Sequence, residues 1–194
     1  MFRPKALATL LCASRFLAAQ APVDLNGLSA AAGRYLSLSL QGQEQPLATD
    51  LQMMKGEPAG SPPALMARAA DVQRWTLFYN LTPRKVGAGS PSLPVYHSAS
   101  LKCIGGQFSD FFLSEPPVPN CKSMETTWMA VSLDGAIAQL NAHGYVQGFS
   151  QVLVRRPDAA GYPDEQAYIF TCPLERTLVA ISANTGAEIW YQMF

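Results

Sequence analysis

Histidine and local catalytic motifs are scarce in this sequence. Only His97 and His143 occur among 194 residues, and there is no His-x-x-x-His or Cys-x-x-Cys spacing, so we expect no metal site. The chain also lacks the Gly-x-Ser-x-Gly elbow of hydrolases and a glycine-rich loop that could hold phosphates, so we expect no cofactor. No catalytic residue is identified. The enzymatic alternative is a small exported hydrolase that uses His97 or His143.

Net charge is absent too. The 14 basic residues balance the 14 acidic ones, and charged residues make up only 14 % of the chain. Domains that bind nucleic acid normally carry an excess of basic residues, so we expect no nucleic-acid partner. No run approaches the roughly 18 apolar residues that a membrane helix needs, so we expect no transmembrane segment in the mature chain. The length and the 48 % of hydrophobic residues are sufficient for one domain with a sizeable core.

The first 21 residues have the order of a targeting segment. Basic residues precede a short apolar run at residues 6–14, and Ala-Gln-Ala at residues 19–21 resembles the cleavage site of a secretory signal peptide. We therefore expect a signal segment at residues 1–21, a mature domain at residues 22–194, and a secreted or periplasmic location. The alternative is a mitochondrial presequence, because no acidic residue precedes Asp24.

The last third of the chain is dominated by residues that favour β-strands. Residues 126–133 are rich in β-branched, aromatic and apolar side chains, and they are followed by Asp134-Gly135, a pair typical of hairpin turns. We therefore predict a hairpin whose return strand is residues 136–142. Further runs bounded by Gly, Pro and Asn predict strands at residues 145–156, 166–172, 177–182 and 187–194.

The earlier part of the domain shows three different patterns. Residues 34–41 alternate leucine with polar residues, which predicts a half-buried strand. Residues 61–74 begin with Ser-Pro-Pro and then carry apolar side chains at helical spacing, which predicts one short helix. Gly105-Gly106 lies between two strand-like runs and predicts a hairpin.

These elements predict a mostly β fold. We expect a single-domain antiparallel sandwich or barrel of about nine to eleven short strands with one short helix. The alternative is an α+β arrangement, which would follow if residues 24–33 and 61–74 are both helical.

The cysteine count suggests at most one bridge. Loss of the signal segment removes Cys12 and leaves Cys103, Cys121 and Cys172, an odd number. We predict a disulfide between Cys103 and Cys121, because a proline-rich return could bring them together. Cys172 would then be a free thiol that behaves as a small buried hydrophobe. The alternative is that Cys172 pairs with one of the other two.

The chain ends on the apolar run Ile-Trp-Tyr-Gln-Met-Phe. Left unpaired, such a run would be an aggregation-prone edge, so we predict that residues 187–194 form part of the core and that Trp190 is a core anchor.

One local resemblance accompanies these patterns. Residues 178–190 combine an apolar strand, a turn with Thr-Gly and a Trp, and this stretch resembles one blade repeat of the pyrroloquinoline-quinone type β-propellers. The resemblance covers a small part of the chain and has no second copy, whereas a propeller needs several blades. A plain hairpin with the Trp packed across it is the competing interpretation.

The function expected from these features is that of an exported soluble β-domain. It would bind a small molecule or a protein partner without catalysis. Alternatives to this are the hydrolase named above and an envelope-associated structural module or β-propeller-like blade fragment.

Overall fold

A computed structural model describes residues 24–41, 47–60, 64–83, 97–114, 116–124, 129–158 and 164–193. The expected signal segment and its cleavage site lie outside these ranges.

The described residues form one open antiparallel sheet, which confirms the mostly β fold class. Its spatial order is β4-β3-β2-β1-β6-β7-β8-β9, with the two-residue strand β5 paired to the end of β6. The strands are β1 (Leu47–Glu57), β2 (Arg74–Pro83), β3 (Ser98–Ile104), β4 (Gln107–Ser114), β5 (Cys121–Lys122), β6 (Gln151–Pro157), β7 (Ala167–Cys172), β8 (Thr177–Ser182) and β9 (Glu188–Met193).

The topology is duplicated. Each half consists of a helix followed by a four-stranded meander: α1 (Leu25–Ser39) precedes β1–β4, and α2 (Leu133–Ala142) precedes β6–β9. The halves meet where β1 pairs antiparallel with β6, Met54 opposite Val154. The sequence shows no repeat at a fixed period, so the halves share a topology rather than a recognisable sequence pattern.

The strand predicted at residues 34–41 is wrong, because these residues form the last turns of α1 and the turn after it. Leu25, Ala32, Leu36 and Leu40 are buried at helical spacing, whereas Leu38 is 65 % exposed. The alternating leucines therefore lie on different sides of a helix. The helical conformation is favoured because it buries this row of apolar side chains against the sheet, and that gain outweighs the local preference of alternating residues for a strand.

The hairpin predicted around Asp134-Gly135 is also wrong. Both residues lie in the first turn of α2, where the Ser132 hydroxyl accepts a hydrogen bond from the Gly135 N–H at 3.1 Å. A serine cap and an acidic residue in the first turn both stabilise a helix start. The sequence Ser-Leu-Asp-Gly is thus a helix N-terminus.

The helix predicted at residues 61–74 is reduced, within its described residues 64–74, to one 3₁₀ turn at Ala69–Asp71. The described chain consequently has two α-helices, at positions other than the predicted one, and the α+β alternative meets only one of its two conditions. The hairpin at Gly105-Gly106 is confirmed: Ile104 pairs with Gln107, and both glycines have positive φ.

Both helices pack on the same face of the sheet, which we call the inner face. The main core lies between the two helices and the sheet. It is built from fully buried side chains of strands and helices, among them Leu36, Leu77, Leu101, Leu133, Leu140, Val154, Tyr168, Phe170 and Ile181. Neither helix covers the opposite, outer face. No helix in the described part of the chain is long and apolar enough to cross a membrane.

Candidate functional site

The outer face of the N-terminal half carries a group of apolar and basic side chains that are exposed or half-buried. Strand register places Phe78 on β2 and Phe112 on β4 in one cross-strand row, both opposite Ser100. Two and four residues further along β3 lie Lys102 and Ile104, and Arg74 lies opposite Ile104. We call Arg74, Phe78, Lys102, Ile104 and Phe112 the hairpin patch.

The exposure of the hairpin patch follows from strand geometry. Neighbours in sequence point to opposite sheet faces, and the alternate residues Trp75, Leu77 and Cys103 are buried in the main core. Phe112 is 58 % exposed and Ile104 is 55 % exposed. Large apolar side chains are thus exposed to water on a sheet whose other side packs against the main core.

The hairpin patch contains two basic side chains, Lys102 and Arg74. The Lys102 Nζ lies 5.4 Å from the centroid of the Phe112 ring, at the distance of a cation–π contact. Glu57 lies opposite Arg74, but its carboxylate is 2.8 Å from the Lys55 Nζ. Among the side chains that the structure describes, which do not include that of Asp110 on β4, no carboxylate lies within 4 Å of the charged groups of Arg74 or Lys102.

Trp190, predicted as a core anchor, packs against the smaller of two hydrophobic core clusters. It lies half-buried on β9, an end strand of the sheet order, in a second cluster on the outer face with Ala167, Ile169 and Ala180. The residue before it falls at an irregularity between β8 and β9. Trp190 therefore fixes the terminal strand to the outer face and leaves the helix-covered core to other side chains.

The predicted disulfide is not formed, since Cys103, Cys121 and Cys172 are all free thiols. Strands β2 and β1 lie between β3, which holds Cys103, and the site of β5, which holds Cys121. Three strand spacings amount to about 14 Å, whereas bridged cysteines have Cα atoms within about 7 Å of each other. The proline-rich return crosses the sheet instead of folding back beside β3: the Val118 N–H donates to the Asn80 Oδ1 at 2.9 Å.

The three described thiols are poor nucleophiles. Burial, followed by the nearby Glu175 carboxylate, raises the pKa of Cys172 to about 12. Burial also raises the pKa of Cys103 and of Cys121; for Cys121 the Arg155 guanidinium, whose Nη1 lies 3.9 Å from the sulfur, partly offsets this effect. Because the thiolate is the reactive form, this environment disfavours cysteine catalysis.

Neither histidine belongs to a catalytic arrangement among the described residues. His97 is exposed just before β3. His143 follows α2, and its Nδ1 lies 3.5 Å from the Glu188 Oε2. Within the described ranges, no Ser or Cys hydrogen-bonds to either imidazole, so the hydrolase alternative lacks a positioned nucleophile.

A small cavity of about 120 Å³ lies where the N-termini of α1 and α2 approach each other. Tyr168 lines it, and the Tyr168 hydroxyl donates a hydrogen bond to the Val131 carbonyl oxygen at 2.7 Å. Asn26 bridges the two segments through a hydrogen bond from its Nδ2 to the Met129 carbonyl oxygen at 3.2 Å. Typical ligand pockets have about 300–1,000 Å³, so this cavity has room for a few water molecules rather than for a drug-sized ligand.

The side chains described do not form a metal site: no three His, Cys, Asp or Glu among them converge. The hairpin patch was missed by sequence reasoning, although its hairpin was predicted. The sequence signal that could have identified the patch is the alternation along β3, which places Lys102 and Ile104 on the face opposite Leu101 and Cys103. The comparisons assign no function to this site, since no protein-family model, curated protein or solved structure matches the chain significantly.

Proposed function

We propose that this protein is an exported, non-catalytic binding domain that docks a protein partner on the hairpin patch. The observation that carries this proposal is the exposure of Phe112 and Ile104 on one face of the sheet, with Lys102 between them along β3 and beside the aromatic ring.

The energetics favour covering this surface. A Phe side chain presents roughly 150–250 Å² to a partner when it is fully buried, and more than half of that area is still open in Phe112. Removing about 100 Å² of apolar surface from water contributes about 2.5 kcal/mol to binding. Aromatic side chains with this gain are typical hot spots of protein interfaces.

The shape of the surface favours a protein over a small molecule. The hairpin patch lies on the face of a sheet: β2 and β3 are each paired on both sides, and β4, the end strand that carries Phe112, is paired with β3. Small ligands gain most of their affinity in concave pockets that bury most of their surface. A partner protein, in contrast, can cover a flat face, and a preformed face loses little conformational entropy on binding.

A matched pair of variants tests the docking site. Phe112→Ser removes the exposed ring, and Leu174→Ser removes an equally exposed side chain, also 58 %, from the turn between β7 and β8. We expect a native partner isolated with the wild-type chain to be retained by Leu174→Ser and lost by Phe112→Ser, while both variants keep the wild-type circular dichroism spectrum. Equal retention by the two variants, or the absence of any retained protein, would contradict the proposal.

Export is the second part of the proposal. It is supported by the order of basic, apolar and small residues in the first 21 positions. N-terminal sequencing of the protein from its native source should read a start between Gln20 and Asp24. A mature protein that begins at Met1 would show that this part is wrong.

A further inference from the structure

We propose that residues 116–124 form a clasp that closes the seam between the two halves of the sheet and that opens while both halves stay folded. The clasp follows the end of β4 and includes β5. It is a feature separate from the proposed docking site, because the residues that hold it are not members of the hairpin patch.

A cross-strand row of three polar side chains lies under the clasp. Asp50 on β1 is opposite Asn80 on β2, which is in turn opposite Ser98 on β3. The residues that follow the first and last of these in sequence, Leu51 and Ala99, are buried in the main core. Because neighbouring residues of a strand point to opposite sheet faces, the row lies on the outer face, which neither helix covers. We call it the polar row.

Each member of the polar row forms a hydrogen bond with the clasp. The Ser98 Oγ donates to the Pro116 carbonyl oxygen at 2.7 Å, and the Asn80 Oδ1 accepts from the Val118 N–H at 2.9 Å. The carboxylate of the third member, on β1, accepts a hydrogen bond from the Ser123 hydroxyl. Three neighbouring strands of the N-terminal half thus hold the clasp at three points, all of them through side chains.

The end of the clasp lies where β1 and β6 stop pairing. Their ladder ends at Met53 opposite Arg155, and the last residues of β6 pair with β5 instead. On the other side of the seam, the Met124 N–H donates to the Leu51 carbonyl oxygen of β1 at 2.8 Å. The clasp is therefore bonded to both halves at a point where the halves are no longer bonded to each other.

The clasp buries little apolar surface of its own. Met124, which reaches the main core, is the one buried residue among 116–124, and the others are exposed or half-buried. The strand within the clasp is only two residues long. Segments with few buried apolar contacts and exposed hydrogen bonds open at a lower free energy than the core of a protein. We therefore expect the clasp to open before either half unfolds, and Cys121 to become accessible with it.

The experiment uses the full chain and its own thiols as reporters. Cys121 lies in the clasp, whereas the buried Cys103 and Cys172 lie in the N-terminal and C-terminal halves. Excess iodoacetamide at neutral pH followed by peptide mapping gives one alkylation rate for each thiol. We expect Cys121 to react fastest, at a rate that low urea concentrations change little, because a local opening exposes little surface. The rates of the two buried thiols should rise with urea.

Two variants weaken the hold of the polar row on the clasp. Asn80→Ala and Ser98→Ala each remove one side-chain hydrogen bond to the clasp. Each should accelerate the alkylation of Cys121 about two- to ten-fold, which corresponds to the contribution of one hydrogen bond to the opening equilibrium. Both variants should keep the wild-type circular dichroism spectrum.

Ser132→Ala is the matched control, because it removes a single hydrogen bond that caps α2 and involves no clasp residue. Since α2 stays folded when only the clasp opens, this variant should accelerate the alkylation of Cys172 and leave that of Cys121 unchanged. Equal acceleration of both thiols would show that the clasp opens only when the whole protein unfolds, and would overturn the proposal. An unchanged Cys121 rate in Asn80→Ala and Ser98→Ala, or a wild-type Cys121 that reacts no faster than Cys172, would overturn it as well.

Discussion

Gly56 lies at the centre of the sheet, where β1 pairs with β2 on one side and β6 on the other. A Cβ atom at this position would lie 2.6 Å from the Val72 Cγ1, 2.8 Å from the Trp75 Cη2 and 2.8 Å from the Val152 Cγ1. All three contacts are shorter than side chains tolerate, and the three neighbours are buried in the main core. We therefore predict that Gly56→Ala destabilises the protein.

The magnitude follows from two opposing effects. Overpacking a dense core by one carbon costs about 1–3 kcal/mol. Replacing Gly in a strand by Ala recovers roughly 0.5–1 kcal/mol of backbone entropy. The net loss is thus roughly 0–2.5 kcal/mol, at its upper end a considerable part of a typical total of roughly 5–15 kcal/mol.

Gly33→Ala is the matched control, because it adds the same atom where no other atom lies within 4 Å. Gly33 is in the interior of α1, where Ala is favoured over Gly by about 1 kcal/mol, so this variant should be more stable than wild type. Urea unfolding followed by circular dichroism gives both midpoints. A Gly56→Ala midpoint at or above that of wild type would refute the packing argument.

Four further predictions concern single residues. Ser132→Ala removes the cap of α2 and should cost about 1 kcal/mol in urea unfolding, with Ser132→Asp restoring most of the loss. The pKa of Asp71 is lowered. Partial burial would raise this pKa, but hydrogen bonds from the Arg68 guanidinium and from the Ala67 and Arg68 backbone N–H groups outweigh that effect. Its stabilisation is therefore present above the unfolded-state pKa near 3.8 and lost as pH falls through the lower folded-state value, so the stability gap between wild type and Asp71→Asn should close in acid. Native alkylation at neutral pH, read by peptide mapping, should modify the half-buried Cys121 faster than the buried Cys172; the reverse order would contradict the burial assigned to them. Trp190→Ala should leave a folded protein, with a loss in free energy of unfolding below the roughly 3–5 kcal/mol expected for a fully buried Trp. Complete unfolding of this variant would show that β9 contributes more to stability than the half-buried position of Trp190 indicates.

The strands that were predicted well are those with strong local signals at both ends. Strands β7 and β8 match residues 166–172 and 177–182 closely, and β9 lies within residues 187–194. Gly105-Gly106 likewise marks its hairpin because positive φ is strongly restricted for other residues. Where a turn signal and an apolar run indicate the same element, a few neighbouring residues are enough to predict it.

The favoured interpretation missed both helices because their local sequences are ambiguous, and only the α+β alternative placed a helix at residues 24–33. Alternating leucines at residues 34–41 fit a strand, but the same leucines also provide the buried Leu36 and Leu40 of a helical stripe. Asp134-Gly135 fits a hairpin turn until the serine cap at Ser132 is considered. In both segments the choice depends on which residues the sheet can bury, and that depends on strands far away in sequence.

The sequence by itself determined the fold class, several of the strands and one hairpin, since alternation and turn chemistry act over a few residues. Only the tertiary structure decided which side of each strand faces the helices. It thereby turned Phe112 and Lys102 outwards and separated Cys103 from Cys121. The physical reason is that β1 and β6 pair across about a hundred residues of chain. Such pairings depend on the total apolar surface that the whole sheet buries, and no single stretch of sequence determines that total.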